Sequence, residues 1–125
     1  MNLPRGRTII SWVLVVLLAL AFLASAAVKL TGVATRMFAH WGYPAWFAKV
    51  IGVIELAGAV GLIIPKTTRH AVLGLTVIMF GAAYTHLANH EGIQMLRPAI
   101  FLTVLWAVWW LRRTGHNRAQ SAAAV

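Results

Sequence analysis

The sequence predicts an all-α fold, a polytopic membrane four-helix bundle with a short interfacial helix between its first and second helices. Composition is the first reason. Of 125 residues 61% are hydrophobic and 10% charged, and the mean hydropathy is +0.80, so polar surface is too scarce to cover a soluble domain of this length. The second reason is distribution: the apolar residues fall into four runs separated by Pro, Gly and basic residues, and each run approaches the length that crosses a bilayer.

The first run, Thr8 to Val28, spans roughly 31 Å at about 1.5 Å per residue, matching a hydrocarbon core of about 30 Å. Arg5, Arg7 and the Ala24-Ser25-Ala26 stretch also fit a cleaved signal peptide, but the run exceeds the usual signal core of about 7 to 15 residues. The second run, Trp46 to Ile64, stops at Pro65, and the third is Ala71 to Leu87. The fourth opens at Pro98, whose fixed φ suits a first helical turn, and ends at Leu111. It covers only about 21 Å, so it must begin earlier, near Ile93, or sit in thinned bilayer. Helices are expected at about 8–30, 46–64, 70–89 and 97–112, forming one domain over 1–113, with 114–125 a disordered cytoplasmic tail.

Between the first two runs, Val33, Met37 and Trp41 recur every four residues beside Phe38, with Thr35, Arg36 and His40 between them. That is the pattern of a short helix lying on the membrane interface, ended by Gly42 and Pro44.

A formal net charge of +9 raises the question of nucleic acid. The basic residues lie at the chain ends and between apolar runs, without the interleaved aromatics of a base-stacking surface, so nucleic acid is set aside in favour of membrane orientation. Arg5, Arg7, Lys66, Arg69, Arg112, Arg113 and Arg118 make seven on one side; Lys29, Arg36, Lys49 and Arg97 make four on the other. By the positive-inside rule both termini are expected in the cytoplasm, in an integral plasma (inner) membrane protein. Trp12, Trp106, Trp109 and Trp110 would mark the inner interface, and Trp41, Tyr43 and Trp46 the outer one. The absence of cysteine excludes a thiol relay, disulfide, iron–sulfur cluster or thiolate metal site made by this chain alone.

Glu55 stands near the middle of the second run, and intramembrane acids are costly enough to mark functional sites. Gly52, Gly58 and Ala59 lie three or four residues away, giving a small-residue face that lets a neighbouring helix approach, so Glu55 should point into the bundle. On the third helix Met79, Ala82, Ala83, His86, Asn89 and His90 share a face. Helix rise puts His86 about 6 Å and Glu55 about 14 Å below the outer boundary. The functional reading makes Glu55 and His86 a proton-handling or ligand-anchoring pair in an outer-leaflet cavity, with Lys29, Tyr84, Met79 and Asn89 on its walls. The alternative is an interhelical hydrogen bond that only fixes packing. Lys29 either snorkels to water or pairs with Glu55. His86 and His90 have the i, i+4 spacing of helical metal ligands, with His40 or Glu91 as a third, but no tight ligand cluster accompanies them and no metal is assigned.

Several stretches resemble the DoxX-like family of small four-helix membrane proteins. They are Ala26 to Gly32, Trp41 to Trp46, Ile51 to Gly58 and Met79 to Leu87, within a likeness covering roughly Trp12 to Leu111. The resemblance implies a compact four-helix bundle; some relatives are linked to quinone-coupled sulfur oxidation, others to oxidative-stress complexes with superoxide dismutase and a sulfurtransferase. Lacking cysteine, this chain has no group with which to handle sulfane sulfur, although a subunit role survives.

The leading functional expectation is therefore a membrane subunit of a redox system that binds a small lipophilic or quinone-like ligand. Alternatives are an acid–base isomerase or hydrolase of a lipophilic substrate, and a structural membrane partner without ligand. No haem, flavin or cluster motif is recognisable, so the cofactor is unknown and a redox role needs a membrane or soluble partner that carries it. A transporter would need a homo-oligomer, since four short helices leave little room for alternating access. Single-cysteine labelling in the cysteine-free background should place residues 29–45 and 88–97 outside the cell and both termini inside; an externally labelled carboxyl terminus would reverse the assignment.

Overall fold

A computed structural model describes the backbone of residues 3–124 and the side chains of residues 6–112. The order is α1 (Leu3–Leu30), α2 (Thr35–His40), α3 (Ala45–Ile63), α4 (Thr68–Ala88), a 3-10 turn (Gly92–Met95) and α5 (Leu96–Ala124). Four stretches are long and apolar enough to cross a membrane: Gly6–Leu30, Ala45–Ile63, Thr68–Ala88 and Gly92–Arg112. The fourth span thus takes in the 3-10 turn, which supplies the earlier start that its short apolar run requires. Beyond Arg112 the described backbone stays helical to Ala124, where the sequence had suggested a disordered tail. Residues 119–124 include four alanines and a glutamine, strong helix formers, and no proline interrupts them. The side chains of Arg5, Arg113 and Arg118, used for orientation, lie outside the described residues.

The helices form a ring in which α1 packs on α3, α3 on α4, α4 on α5 and α5 back on α1. With four crossings, both ends of the chain emerge on one face of the bundle and α2 lies on the other. In α3 the buried residues are Ala48, Gly52, Glu55, Ala59 and Leu62. Their spacing of four, three, four and three residues is the seam of a helix packed at a shallow crossing angle. Opposite them lies a core that includes Val15, Leu18, Phe22, Leu75, Met79, Leu105 and Val108, with the Phe22 and Phe101 rings 5.0 Å apart. At most a third of any span's most apolar window is buried in the bundle, and side chains such as Leu17, Val77 and Phe80 face outward, as lipid contact requires.

Loops satisfy the helix ends. Pro65 follows α3, whose last carbonyls would otherwise lie unpaired at a membrane boundary. Thr67 Oγ1 donates to Gly61 O at 2.8 Å, and Thr68 Oγ1 donates to Leu62 O at 3.1 Å and Ile64 O at 3.0 Å. At the other face α2 ends in a Schellman motif: Tyr43 N–H reaches Phe38 O at 2.9 Å and Gly42 N–H reaches Ala39 O at 3.0 Å, with Gly42 at φ 89°. The end of α4 repeats the motif without glycine. Glu91 N–H bonds His86 O at 2.8 Å and His90 N–H bonds Leu87 O at 3.2 Å, with His90 at φ 60°. A left-handed residue other than glycine costs about 1 kcal/mol or more, and here it turns Glu91 back over His86.

Glycines set the closeness of the α3 contacts. A Cβ on Gly58 would stand 2.6 to 2.9 Å from three Leu75 side-chain atoms, and one on Gly52 would stand 3.3 Å from Ala26 O. Leu75 is fully buried, so it has no free space into which to turn. Gly58→Ala should therefore lower stability by about 1 to 3 kcal/mol, the usual cost of overpacking. Shortening Leu75 to Ala in the same chain should return part of it, whereas Gly81→Ala, which meets nothing within 4 Å, should be tolerated. Thermal unfolding in detergent of these variants reads the differences.

Candidate functional site

Glu55 is 1% exposed, held where the Gly52 contact draws α3 against the end of α1. Lys29, on the last turn of α1, closes the site. Its Nζ stands 3.1 Å from Glu55 Oε1 and 3.3 Å from Oε2, and donates to Ser25 Oγ at 2.6 Å. The side chains are unequally sheltered, Lys29 16% exposed and Glu55 2%, so the ammonium is the member of the pair that reaches the surroundings. Lys29 has three N–H donors, and Ser25, one turn earlier on α1, fixes the direction of one of them.

His86 does not join Glu55. Its Nδ1 lies 2.8 Å from Glu91 Oε2, and Glu91 Oε1 accepts from Trp41 Nε1 at 3.1 Å. The Trp41 and His86 rings meet edge to face at 5.3 Å. These contacts hold the Glu91 carboxyl below its ordinary pKa, the His86 hydrogen bond first and the Trp41 one next. The reason for the separation is the backbone reversal at His90, which brings an acid back to His86 from the loop before Glu55 is within reach.

The remaining predicted wall residues scatter. Tyr84 is 69% exposed and Met79 belongs to the buried core, while Asn89 Nδ2 donates to Thr85 O at 2.8 Å, finishing α4. One proposed member, Lys29, is thus brought to Glu55, and the polar stripe of α4 serves a second cluster. That cluster rests on an aromatic patch: Phe38 packs on Trp41, Tyr43 and Phe47 at 5.4, 6.0 and 6.1 Å, and Tyr43 Oη shares a 2.7 Å hydrogen bond with Thr85 Oγ1. Among the described residues no group of three or more His, Asp or Glu side chains is placed to hold a metal.

At the face bearing the termini, Arg112 Nε donates to Ser11 Oγ at 3.2 Å and Nη1 to Thr68 Oγ1 at 3.2 Å. Its guanidinium lies 4.5 Å over the Trp12 ring, and Nη2 is buried without a hydrogen-bond partner. Arg7 sits 4.8 Å over Trp110. From the sequence Arg112 is an orientation charge; the signal that pointed further was Ser11, a hydroxyl inside an apolar run that elsewhere has only Thr8 and Ser25.

The sequence matches the model of the DoxX-like family over residues 13–108, a range that contains the ion pair, the Trp41–Glu91–His86 cluster and all four spans apart from their outermost turns. The chain belongs to the DoxX-like family. It is also 32% identical over 103 residues to an uncharacterized protein, YdgD, of Bacillus subtilis (strain 168), a match covering 76% of this chain and 90% of that one. No solved structure matches. Family membership therefore establishes this DoxX-like protein as a helical membrane protein and leaves its chemistry to the residues.

Removing one partner of a buried ion pair strands a charge, whereas replacing both with apolar residues is often neutral or better. Lys29→Met should thus destabilise the bundle by about 3 kcal/mol, Glu55→Leu by less because Lys29 can snorkel, and the double variant should recover most of the loss. Melts of the three variants would show this as non-additivity; strictly additive losses would mean that the pair is not coupled.

Proposed function

We propose that this DoxX-like protein is a small subunit of a redox system in the plasma (inner) membrane, with both termini cytoplasmic, and that its Lys29–Glu55 pair anchors the polar head of a lipophilic, quinone-like molecule in the outer leaflet. The observation that carries this reading is the unequal burial of the pair, Lys29 16% exposed and Glu55 2%. A charged pair at a membrane-spanning interface is hard to explain by stability alone, and this one presents a hydrogen-bond donor toward its surroundings.

In this reading Lys29 Nζ donates to a carbonyl oxygen of the bound molecule. Glu55 and Ser25 aim the ammonium. On reduction, two electrons and two protons, the latter taken from water at the outer interface, convert the quinone to the quinol; the ammonium stabilises negative charge as it appears on the carbonyl oxygen. The electrons come from a partner that carries the electron cofactor, for which this chain has no recognisable motif. An acid–base enzyme is supported less well, because Lys29 covers the Glu55 carboxylate and, among the described residues, no titratable group other than Lys29 bonds it. One observation favours a purely structural role, the near-complete burial of Glu55, and the same experiment separates the two.

Purified protein in nanodiscs should quench its tryptophan fluorescence on titration with short-tailed ubiquinone or menaquinone. Lys29→Met should weaken binding at least about tenfold, the loss of one hydrogen bond to a charged donor, while Glu55→Gln should weaken it less and keep the fold. Failure of the wild type to bind either quinone, or equal binding by Lys29→Met, would leave the structural reading in possession.

A further inference from the structure

On the face of the bundle opposite the termini, the end of α1 and one side of α2 border a shallow, open groove of about 500 Å³ lined by Val28, Val33, Ala34, Arg36, Met37 and His40, of which only Ala34 is buried. Its lining is divided by chemistry: Val28, Val33 and Met37 are apolar, and Arg36 and His40 lie i, i+4 on one face of α2, so the groove has an apolar edge and a polar, cationic edge. The first span ends at Leu30, only a few residues before α2, which puts this division at the level where the chain leaves the hydrocarbon.

Charge determines the occupant. The chain has eleven Lys and Arg residues and two acids; Glu55 is bonded by Lys29 and Glu91 by His86 and Trp41, and of the groove's two basic groups only His40 also feels the Glu91 charge. Neither acid pairs with exposed Arg36, so the counter-charge for its guanidinium comes from outside the chain. We propose that the groove binds an anionic phospholipid of the surrounding leaflet, its phosphodiester on Arg36 and the His40 imidazole and the start of an acyl chain along Val28, Val33 and Met37. Guanidinium is suited to this role because its planar donors match two phosphate oxygens at once. A free phosphate would leave the apolar edge wet, whereas a lipid covers both edges. This inference is independent of the quinone reading, since neither Lys29 nor Glu55 lines the groove.

The test uses the full chain in nanodiscs with a photoactivatable phosphatidylglycerol that carries a diazirine near its glycerol backbone, with a phosphatidylcholine of the same acyl chains as the comparison. Cross-linked peptides are mapped by mass spectrometry. Phosphatidylglycerol should label residues 28–40 preferentially, and Arg36→Gln should reduce that preference about fivefold, the weight of one basic residue at an anionic surface. Lys49→Gln, a change at an exposed lysine on the same face outside the groove, should leave it intact, and circular dichroism should show all three proteins equally helical. Equal labelling by the two lipids, an unchanged preference in Arg36→Gln, or an equal drop in Lys49→Gln would overturn the proposal. So would loss of the preference on adding inorganic phosphate at constant ionic strength, because the site would then recognise the free anion.

Discussion

Burying Glu55 between α1 and α3 imposes a condition that much of the bundle meets. A carboxylate there needs a counter-charge and a wall without water, and these come from different places. Lys29 provides the charge from the last turn of α1, Ser25 orients it from the turn before, and Gly52 lets α3 approach until Ala26 and Lys29 lie against its backbone. In a bilayer the lipid tails are as apolar as the core, so helix association draws on close packing and interhelical polar contacts more than on hydrophobic burial. The ion pair and the glycine contact are therefore one device. A side chain at position 52 would move α3 away and open the pair together.

Two further ties hold the ends of the bundle, and they differ in kind. Near α2, Trp41 and Tyr43 reach from one connection to α4 and its following loop, through Glu91 and Thr85, over a patch of stacked rings. At the opposite face, Arg112 binds hydroxyls from α1 and α4, while Thr68 simultaneously caps the carbonyls that α3 leaves free. The first tie closes a helix end on aromatic surface; the second joins α1, α4 and α5 and reaches α3 through Thr68. Each depends on short-range geometry that a hydropathy profile does not contain.

That limit explains what could be read from the chain beforehand. Run length and periodicity were enough for the four spans and for α2, since lipid-facing apolar residues and the Val33–Met37–Trp41 repeat are properties of neighbouring residues. The inward direction of Glu55 was legible in the same way, from Gly52, Gly58 and Ala59. Its partner was not. Depth estimated from helix rise put His86 near enough to Glu55 to pair with it and left Lys29 open between water and Glu55, whereas the reversed backbone at His90 hands His86 to Glu91 and Lys29 pairs with Glu55. Tyr84 shows the same failing in another form: it shares α4 with His86, but two residues of offset turn it by about 200° around the helix axis, out to the exposed side. Helical continuity past Arg113 was missed because a small polar composition was read as absence of order, although alanine favours helix whether or not it packs.

The two acids divide the chain's charge unequally, and the imbalance bears on function more directly than the net value does. Each carboxylate is consumed inside the bundle's own architecture, one in the α1–α3 seam and one in the loop after α4. Every other cation must therefore find its balance in solvent or lipid. On the face with the termini, Arg112 is drawn into a hydroxyl and aromatic setting that never supplies an anion, whereas on the α2 face Lys29 has a carboxylate and Arg36 has none. Keeping both acids for internal contacts leaves the cations at the boundaries to be neutralised from outside the chain, as the proposed lipid contact at Arg36 requires. An intramembrane acid retained under those conditions, where an apolar pair would pack at least as well, is more readily understood as a device for holding Lys29's ammonium in one position than as a source of stability.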